Sequence, residues 1–223
     1  DAKYDNALSS VFQFRQRSGN PNKFQGNVRL SATEFALTTE GPLAKSGKTT
    51  FLASARRSYL QFLFQALDIP IRPNFWDFQT KITHQLNAKT SISFMALAAI
   101  DDFSFSTIKK ETPEKLYIYN SNPIISQWNY TTGITLKHLT ENGYYNIAIS
   151  RNAFDNDIRK YEDNQLKNPS QINLSLQSRE TENKIRFDAN QNINGWKLSY
   201  GLSLQSVDYA NQTTAVFRKG IYG

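Results

Sequence analysis

Between positions 196 and 205 apolar and polar residues alternate without a break. Trp196, Leu198, Tyr200, Leu202 and Leu204 take the even positions, and Lys197, Ser199, Gly201, Ser203 and Gln205 the odd ones. A period of two puts the apolar groups on one face of a β-strand and the polar groups on the other. The pattern returns over residues 76–86, 128–138 and 145–149. Reading strands between turn-forming clusters gives about nine, over residues 23–33, 35–41, 49–59, 75–86, 90–100, 127–139, 144–152, 172–190 and 196–207, with antiparallel neighbours throughout. Two segments disturb the alternation. Leu52, Ala55, Tyr59, Leu63 and Leu67 share a helical stripe, which predicts a short helix after Tyr59. In 172–190 the apolar positions are even through Leu176 and odd from Ile185, so a bulge is expected between Ser178 and Glu182.

Turn signals at 45–48, 87–89, 141–143 and 192–195 are short, whereas the connections at 65–74, 101–123 and 153–170 are long and polar or proline-bearing. Short turns at one rim and long loops at the other predict an all-β fold, part of a large antiparallel transmembrane β-barrel with the long loops outside. The polar face carries Lys81, Lys137 and Lys197 while the other carries indole and phenol rings, as a wall between lipid and an aqueous lumen requires. In the strand at 90–100 this assigns Ile92, Phe94, Ala96 and Ala98 to lipid, and Ser91, Ser93, Met95 and Leu97 to the lumen.

Composition is compatible with that reading. Only 39% of the chain is hydrophobic and its mean hydropathy is −0.55, but barrel strands place only alternate residues in lipid and need no run of the ~20 apolar residues that a membrane helix requires. A soluble β-sandwich has the same totals and stays open as an alternative. The net charge of +7 comes from basic residues scattered among acidic ones, as at Arg56 and Arg57, Lys109 and Lys110, and Arg159 and Lys160. No basic run is long enough to track a phosphate backbone, which argues against nucleic acid as a partner. The absence of cysteine removes disulfides, thiolate metal sites and thiol nucleophiles, and fits an exported bacterial protein. The opening six residues lack the apolar core of a signal peptide, so the chain is expected to be a processed or partial product rather than a cytoplasmic one.

No motif points to catalysis. Gly47, Lys48 and Thr49 suggest a phosphate loop, but five residues separate Gly41 from Gly47 where that motif needs four, and a β-type segment follows. A hairpin turn is the better reading. His84 and His138 are the only histidines; each lies on the apolar side of its strand with no carboxylate at metal-ligand spacing, so neither a metal nor a cofactor is expected. Asp101 with Asp102, and Asp155 with Asp157, are the loop carboxylate clusters at which a calcium ion could be considered. Adjacent Arg56 and Arg57 must point to opposite faces, and a lumen-side ion pair is the expected fate of one of them.

The opening residues 2–20, with Tyr4, Asn6, Leu8, Ser9, Ser10 and Val11, resemble the end of the plug domain in TonB-dependent outer-membrane receptors, where a Tyr-Gly-Asn-x-Leu-Ser-Ser-Val run precedes the barrel. Asp5 stands where that run has glycine. Residues 40–43, 54–59 and 77–81 resemble, in order, the first barrel strands of the same family, and beyond about residue 105 only the general strand pattern carries the likeness. The resemblance implies a barrel of 22 strands around a plug, with residues 1–19 as the end of the plug and its linker and 20–223 as the N-terminal portion of the barrel. On that reading the plug proper, the TonB-contacting segment and roughly thirteen strands lie outside this sequence.

The resemblance further implies energised uptake of a scarce nutrient with no covalent chemistry, hence no enzyme, at the bacterial outer membrane. Its implied partners are outer-membrane lipid and lipopolysaccharide, the inner-membrane TonB complex, a surface lipoprotein lid, and a small-molecule, glycan or peptide ligand. The residues expected to face the lumen or plug are Arg56, Asp77, Gln79, Lys81, Asn129, Lys137, Lys197 and Gln205. Tyr117, Tyr119 and Trp128 are the aromatic candidates for stacking on a ligand, or for packing at the rim. The rival reading is a non-transporting carbohydrate-binding or structural surface protein, either a soluble sandwich or a scaffold barrel. An outer-membrane hydrolase ranks behind both, for want of a nucleophile and base.

Overall fold

The computed structural model describes residues 9–106, 108, 110–164 and 167–216. The parts of the plug-like run before residue 9, and of the expected loops at 107, 109, 165 and 166, lie outside the described residues. Among the described residues nine strands form one sheet in sequence order: β1 (Gln25–Leu30), β2 (Glu34–Pro42), β3 (Thr49–Ser58), β4 (Ile71–Gln85), β5 (Thr90–Phe105), β6 (Ile124–Thr140), β7 (Gly143–Tyr161), β8 (Ile172–Ile193) and β9 (Trp196–Ala215). Every neighbour is antiparallel. Helix α1 (Leu60–Ala66) follows β3, where the helical stripe predicted one, and α2 (Pro113–Ser121) lies between β5 and β6. The turn between β8 and β9 is Asn194-Gly195 with φ of 50° and 83°, the doubly positive pair that a tight hairpin matching strand twist demands.

The ladder pairing fixes the faces. Ile82, Phe94, Ile134, Ile149, Ile185 and Leu204 form one continuous cross-strand row from β4 to β9, so the alternation of each strand is in phase with the next. The opposite face supplies most of the lining of one cavity of about 530 Å³ that spans six strands, from Asn27 and Arg29 to Asn129, with Phe78 and Ala98 of the apolar rows completing it. The apolar face is therefore the outside and the polar face the inside. Both ends of the outer apolar band are aromatic. Trp76 stacks on Phe78 at 5.8 Å and Trp128 on Tyr130 at 6.1 Å at one end, while His138 packs on Tyr145 at 5.0 Å at the other. Paired girdles of this kind mark the two interfaces of a membrane barrel.

The band does not follow the ladder rows. On β4 it starts at Trp76, but on β9 it ends at Leu204, which is in register with Ile82, six residues along β4 and five strands away. It thus slides by about one residue, ~3.3 Å along the strand, for each ~4.8 Å step across the sheet, which corresponds to strands tilted by roughly 35°. A tilt of that size is what closure into a membrane barrel requires.

Three expectations need correction. No bulge interrupts Ser178 to Glu182; β8 pairs continuously there with both neighbours, and its ladder with β7 is irregular only at Lys160 and Tyr161. The change of parity instead records a change of surroundings. Below Asn183 the outside of the wall carries Ile185 and Phe187, and beyond it the outer positions are Thr181, Arg179 and Gln177, while Leu176, Phe154, Val207 and Tyr209 lie inside. A straight strand that leaves the lipid keeps its geometry and exchanges its apolar face. Second, residues 71–74, 101–105 and 153–161, expected in loops, are strand; β6 to β9 run 17 to 22 residues, well past the ~9–11 needed to cross a bilayer. Third, the described residues contain a single sheet, with no second sheet to cover the apolar face as a sandwich would.

Candidate lumen site and outer loop cluster

All eight lumen candidates lie on the inner face. Arg56 pairs in register with Asp77, Gln79 with Ser54, Lys81 with Leu52, Asn129 with Ala99, Lys137 with Ser91, Lys197 with Asn192 and Gln205 with Lys184. Four of them converge: Arg56, Asp77, Gln79 and Asn129 line the same cavity. Arg56 donates to Asp77 at 2.8 Å and reaches Glu34 at 3.4 Å, and Glu34 also pairs with Arg29. The result is a chain of alternating charge, Arg29, Glu34, Arg56, Asp77, across four strands. Register alone reveals it, so local pattern did not single out Arg29 or Glu34. The remaining candidates are dispersed. Lys137 sits over the Tyr144 ring at 5.2 Å, and Gln205 donates to Glu182 at 2.8 Å.

The segment before β1 lies against this inner wall. Lys81 Nζ donates to the Gln16 carbonyl at 2.6 Å. Arg17 grips both oxygens of Glu40, the second at 2.7 Å, and the Asn20 amide donates to Glu40 at 3.0 Å. Ser18 Oγ meets Thr83 Oγ1 at 3.1 Å.

At the other rim the loops interlock. Asn164, fully buried, donates to the carbonyls of Tyr119 at 2.6 Å and Asn122 at 2.9 Å and accepts from the Tyr161 amide at 3.0 Å. It ties the connection after β7 to α2. Lys160 adds a bond to the Ser121 carbonyl at 3.3 Å, and Lys115 of α2 pairs with Asp68 in the connection after α1. That hydrogen bond holds the Asp68 carboxyl below its ordinary pKa.

The three aromatic candidates have different fates. Tyr119 is 3% exposed and packs on Phe105 at 4.8 Å, which makes it the anchor of the loop cluster; burial, and then the charge of Asp163, raise its phenol pKa. Trp128 belongs to β6 and points outward, under Arg179 at 5.8 Å, so it serves the girdle. Tyr117 alone is presented to solvent, at 72%. The carboxylate clusters are already matched or split. Asp155 pairs with Arg179 and Asp157 with Arg159, while consecutive Asp101 and Asp102 alternate between the two faces.

A continuous antiparallel wall, apolar outside, charged inside and tilted as described, is a section of a large transmembrane β-barrel. Its fold is that of the barrel of TonB-dependent receptors. It superposes on the ferripyoverdine receptor of the outer membrane of Pseudomonas aeruginosa bound to ferripyoverdine with a TM-score of 0.57 at 14% identity, over 88% of this chain and 28% of that one. The P. aeruginosa FpvA bound to heterologous pyoverdine gives 0.59 at 14% identity, over 89% and 29%, and the FpvAI–pyocin S2 complex 0.57 at 14%, over 86% and 29%. The chain therefore spans less than a third of the length of these structures. No protein-family model matches the sequence, and no curated protein does.

Proposed function

We propose that this chain is the end of the plug, residues 1–19, and the first part of the barrel wall, residues 20–223, of a TonB-dependent receptor that imports a scarce nutrient across the bacterial outer membrane. The observation that carries the reading is the N-terminal segment fastened inside a wall whose other face is a lipid-facing band. A scaffold barrel without a plug has no use for that fastening. In this reading ligand is caught at the outer loops, with Tyr117 offering a stacking surface, and passes along the inner wall past Arg56, Asp77, Gln79 and Asn129 once the plug rearranges. Lys81, Lys137, Lys197 and Gln205 face plug or lumen water. Lipid and lipopolysaccharide surround the outer band, the TonB complex supplies energy through the plug, and a surface lipoprotein could seat on the loop cluster. The matched receptors are bound to iron chelates and a pyocin, so ferric chelates are the first ligands to try.

The complete protein should fractionate with outer membranes, shift its gel mobility on heating, and accumulate radioactive iron from a panel of ferric siderophores only while the inner membrane is energised. Recovery of a monodisperse, detergent-free native protein contradicts the barrel placement. Membrane insertion without energy-dependent accumulation of any chelate contradicts iron import.

A further inference from the structure

The rim with the short turns carries the same small unit twice. Lys48 ends the turn before β3, Thr49 begins the strand, and the Thr49 hydroxyl meets Nδ1 of His84 on β4 at 2.7 Å. Lys89 ends the turn before β5, Thr90 begins the strand, and the Thr90 hydroxyl meets Nδ1 of His138 on β6 at 2.8 Å. Both threonines and both histidines stand on the outer face, in the alternate positions that hold Ile82 and Ile134 further along the wall. His138 lies two residues beyond the ladder row of His84 and two strands away. That offset matches the slide of the apolar band, so the two rings sit at one depth, ~12 Å apart for two steps of ~4.8 Å across and two of ~3.3 Å along. Each ring is fixed through Nδ1, and its Nε2 has no protein partner among the described residues. Toward the midplane the first unit borders Phe51 and Ile82 and the second Ile92 and Leu136, where the lipid-facing band begins. On the other side stand the exposed Lys48 and Lys89, with Lys45 in the turn of the first and Lys23 in the corner packed on it, since a Cβ on Gly47 would fall 2.8 Å from the Pro21 carbonyl oxygen. None of these four lysines has an ion pair among the described residues, and the carboxylate in the turns of this rim is Glu141, after β6.

We propose that each of these Lys, Thr and His units is a clamp for the phosphate of one anionic phospholipid, in the leaflet that meets the short-turn rim. With the threonine hydroxyl donating to Nδ1, the imidazole carries its hydrogen on Nε2 and offers it to a headgroup oxygen. The adjacent lysine supplies the countercharge, its stem along the apolar wall and its ammonium in the headgroup layer. The acyl chains run up over Phe51 and Ile82 at the first clamp and over Ile92 and Leu136 at the second. Lipid is the occupant because the units stand on the lipid-facing side at the edge of the apolar band, where bilayer headgroups lie. Four lysines against one glutamate leave this rim positive, which selects a headgroup of net negative charge, such as phosphatidylglycerol, over zwitterionic phosphatidylethanolamine. From the receptor reading above the clamps take only their orientation, with the short turns at the periplasmic leaflet.

Native mass spectrometry of the complete protein in mild detergent, titrated with phosphatidylglycerol, tests the clamps. Two lipids should be retained, and phosphatidylethanolamine should be held about tenfold less tightly, the scale of one lost charge-assisted bond. Lys48→Gln with His84→Gln should remove one lipid, and Lys89→Gln with His138→Gln the other. Thr49→Val, which keeps the shape of the side chain and releases the ring, should weaken the first site alone. Heat-modifiable mobility reports assembly of each variant, and where a paired variant does not assemble, Thr49→Val and the single lysine variants carry the same test. Unchanged retention by the assembled variants, or equal retention of the two lipids, overturns the proposal. So does displacement of the lipid by inorganic phosphate, or by a glutamate-rich peptide at equal charge, which would make the rim a site for a soluble anion or an acidic protein. Loss of energised uptake with lipid retention intact refutes the transport reading alone, and loss of retention in the unmodified protein with uptake intact refutes the clamps alone.

Discussion

Placing a cation on either side of one strand tests the wall directly. Phe94 is the fourth residue after Thr90, the start of β5. At ~3.3 Å per residue and a tilt of roughly 35°, each residue gains ~2.7 Å of depth, so Phe94 lies ~11 Å from the rim of a band ~25 Å tall, near its middle. Its cross-strand neighbours on the outer face are Ile82 and Ile134, and along its own strand Ile92 and Ala96. None offers a charge or a carboxylate to an introduced guanidinium. Phe94→Arg should therefore cost the full midplane penalty of ~2–4 kcal/mol. Ser93, one residue earlier, points inward and shares a 3.3 Å hydroxyl contact with Thr83. Ser93→Arg gives up that neutral bond, worth about 1 kcal/mol, and keeps its charge in lumen water or against the plug. Denaturant unfolding of the two variants of the complete protein, refolded in lipid vesicles, measures the difference. A larger loss for Ser93→Arg refutes the assignment of faces in β5.

Other consequences concern the loops. Deleting residues 109–119 should abolish ligand uptake and leave heat-modifiable barrel assembly intact; normal uptake removes this connection from the binding site. Tyr117→Ala should weaken ligand binding with the loop cluster still protected from hydrogen exchange, whereas Tyr119→Ala should lose that protection, because only the second empties a packed position. Asn164→Ala leaves two carbonyls and one amide without their partner and should destabilise the cluster by about 3 kcal/mol, read as faster amide exchange in α2. The Asp68 carboxyl has a folded pKa below its unfolded one, so its pair with Lys115 supports the cluster above the ordinary carboxylate pKa and fails as pH falls through the lower folded value. Loop protection should accordingly be flat near neutrality and fall only in acid, and Asp68→Asn should remove the acid-dependent part.

Much of this fold is legible in the chain because a membrane wall writes period two into each strand. Trp196 to Leu204 and Trp76 to Leu86 show face and strand together, and all eight lumen candidates share one face of the sheet. The same rule misled where the lipid ends. Leu176 and Ile185 differ in parity because one strand meets two environments, and only knowledge of where the membrane stops separates that from a bulge. The strands run farther than local polarity suggests for a related reason, since Asp101, Asp155 and Asp157 look like loop residues but stand in strands that continue into water. The charge chain through Glu34 and the Asn164 anchor depend on register and on contacts over tens of residues, which alternation does not encode. Tyr119 and Tyr117, two residues apart on α2, could be told apart only by packing.

The central claim is a single wall whose apolar face is outside within the membrane and inside beyond it, and β9 tests it along its length. Cysteines placed singly from 198 to 210 in the complete receptor, in outer membranes, can be scored for reaction with a charged, water-soluble maleimide and, after fluorescent labelling, for quenching by a lipid-borne quencher. Positions 198, 200, 202 and 204 should be quenched by lipid and resist the maleimide, positions 199, 201, 203 and 205 should be neither quenched nor lipid-exposed, and from Ser206 onward the even positions should become freely reactive from water. Even positions that react as fast as their odd neighbours below Ser206, or lipid quenching that continues through Asp208 and Ala210, would contradict the account.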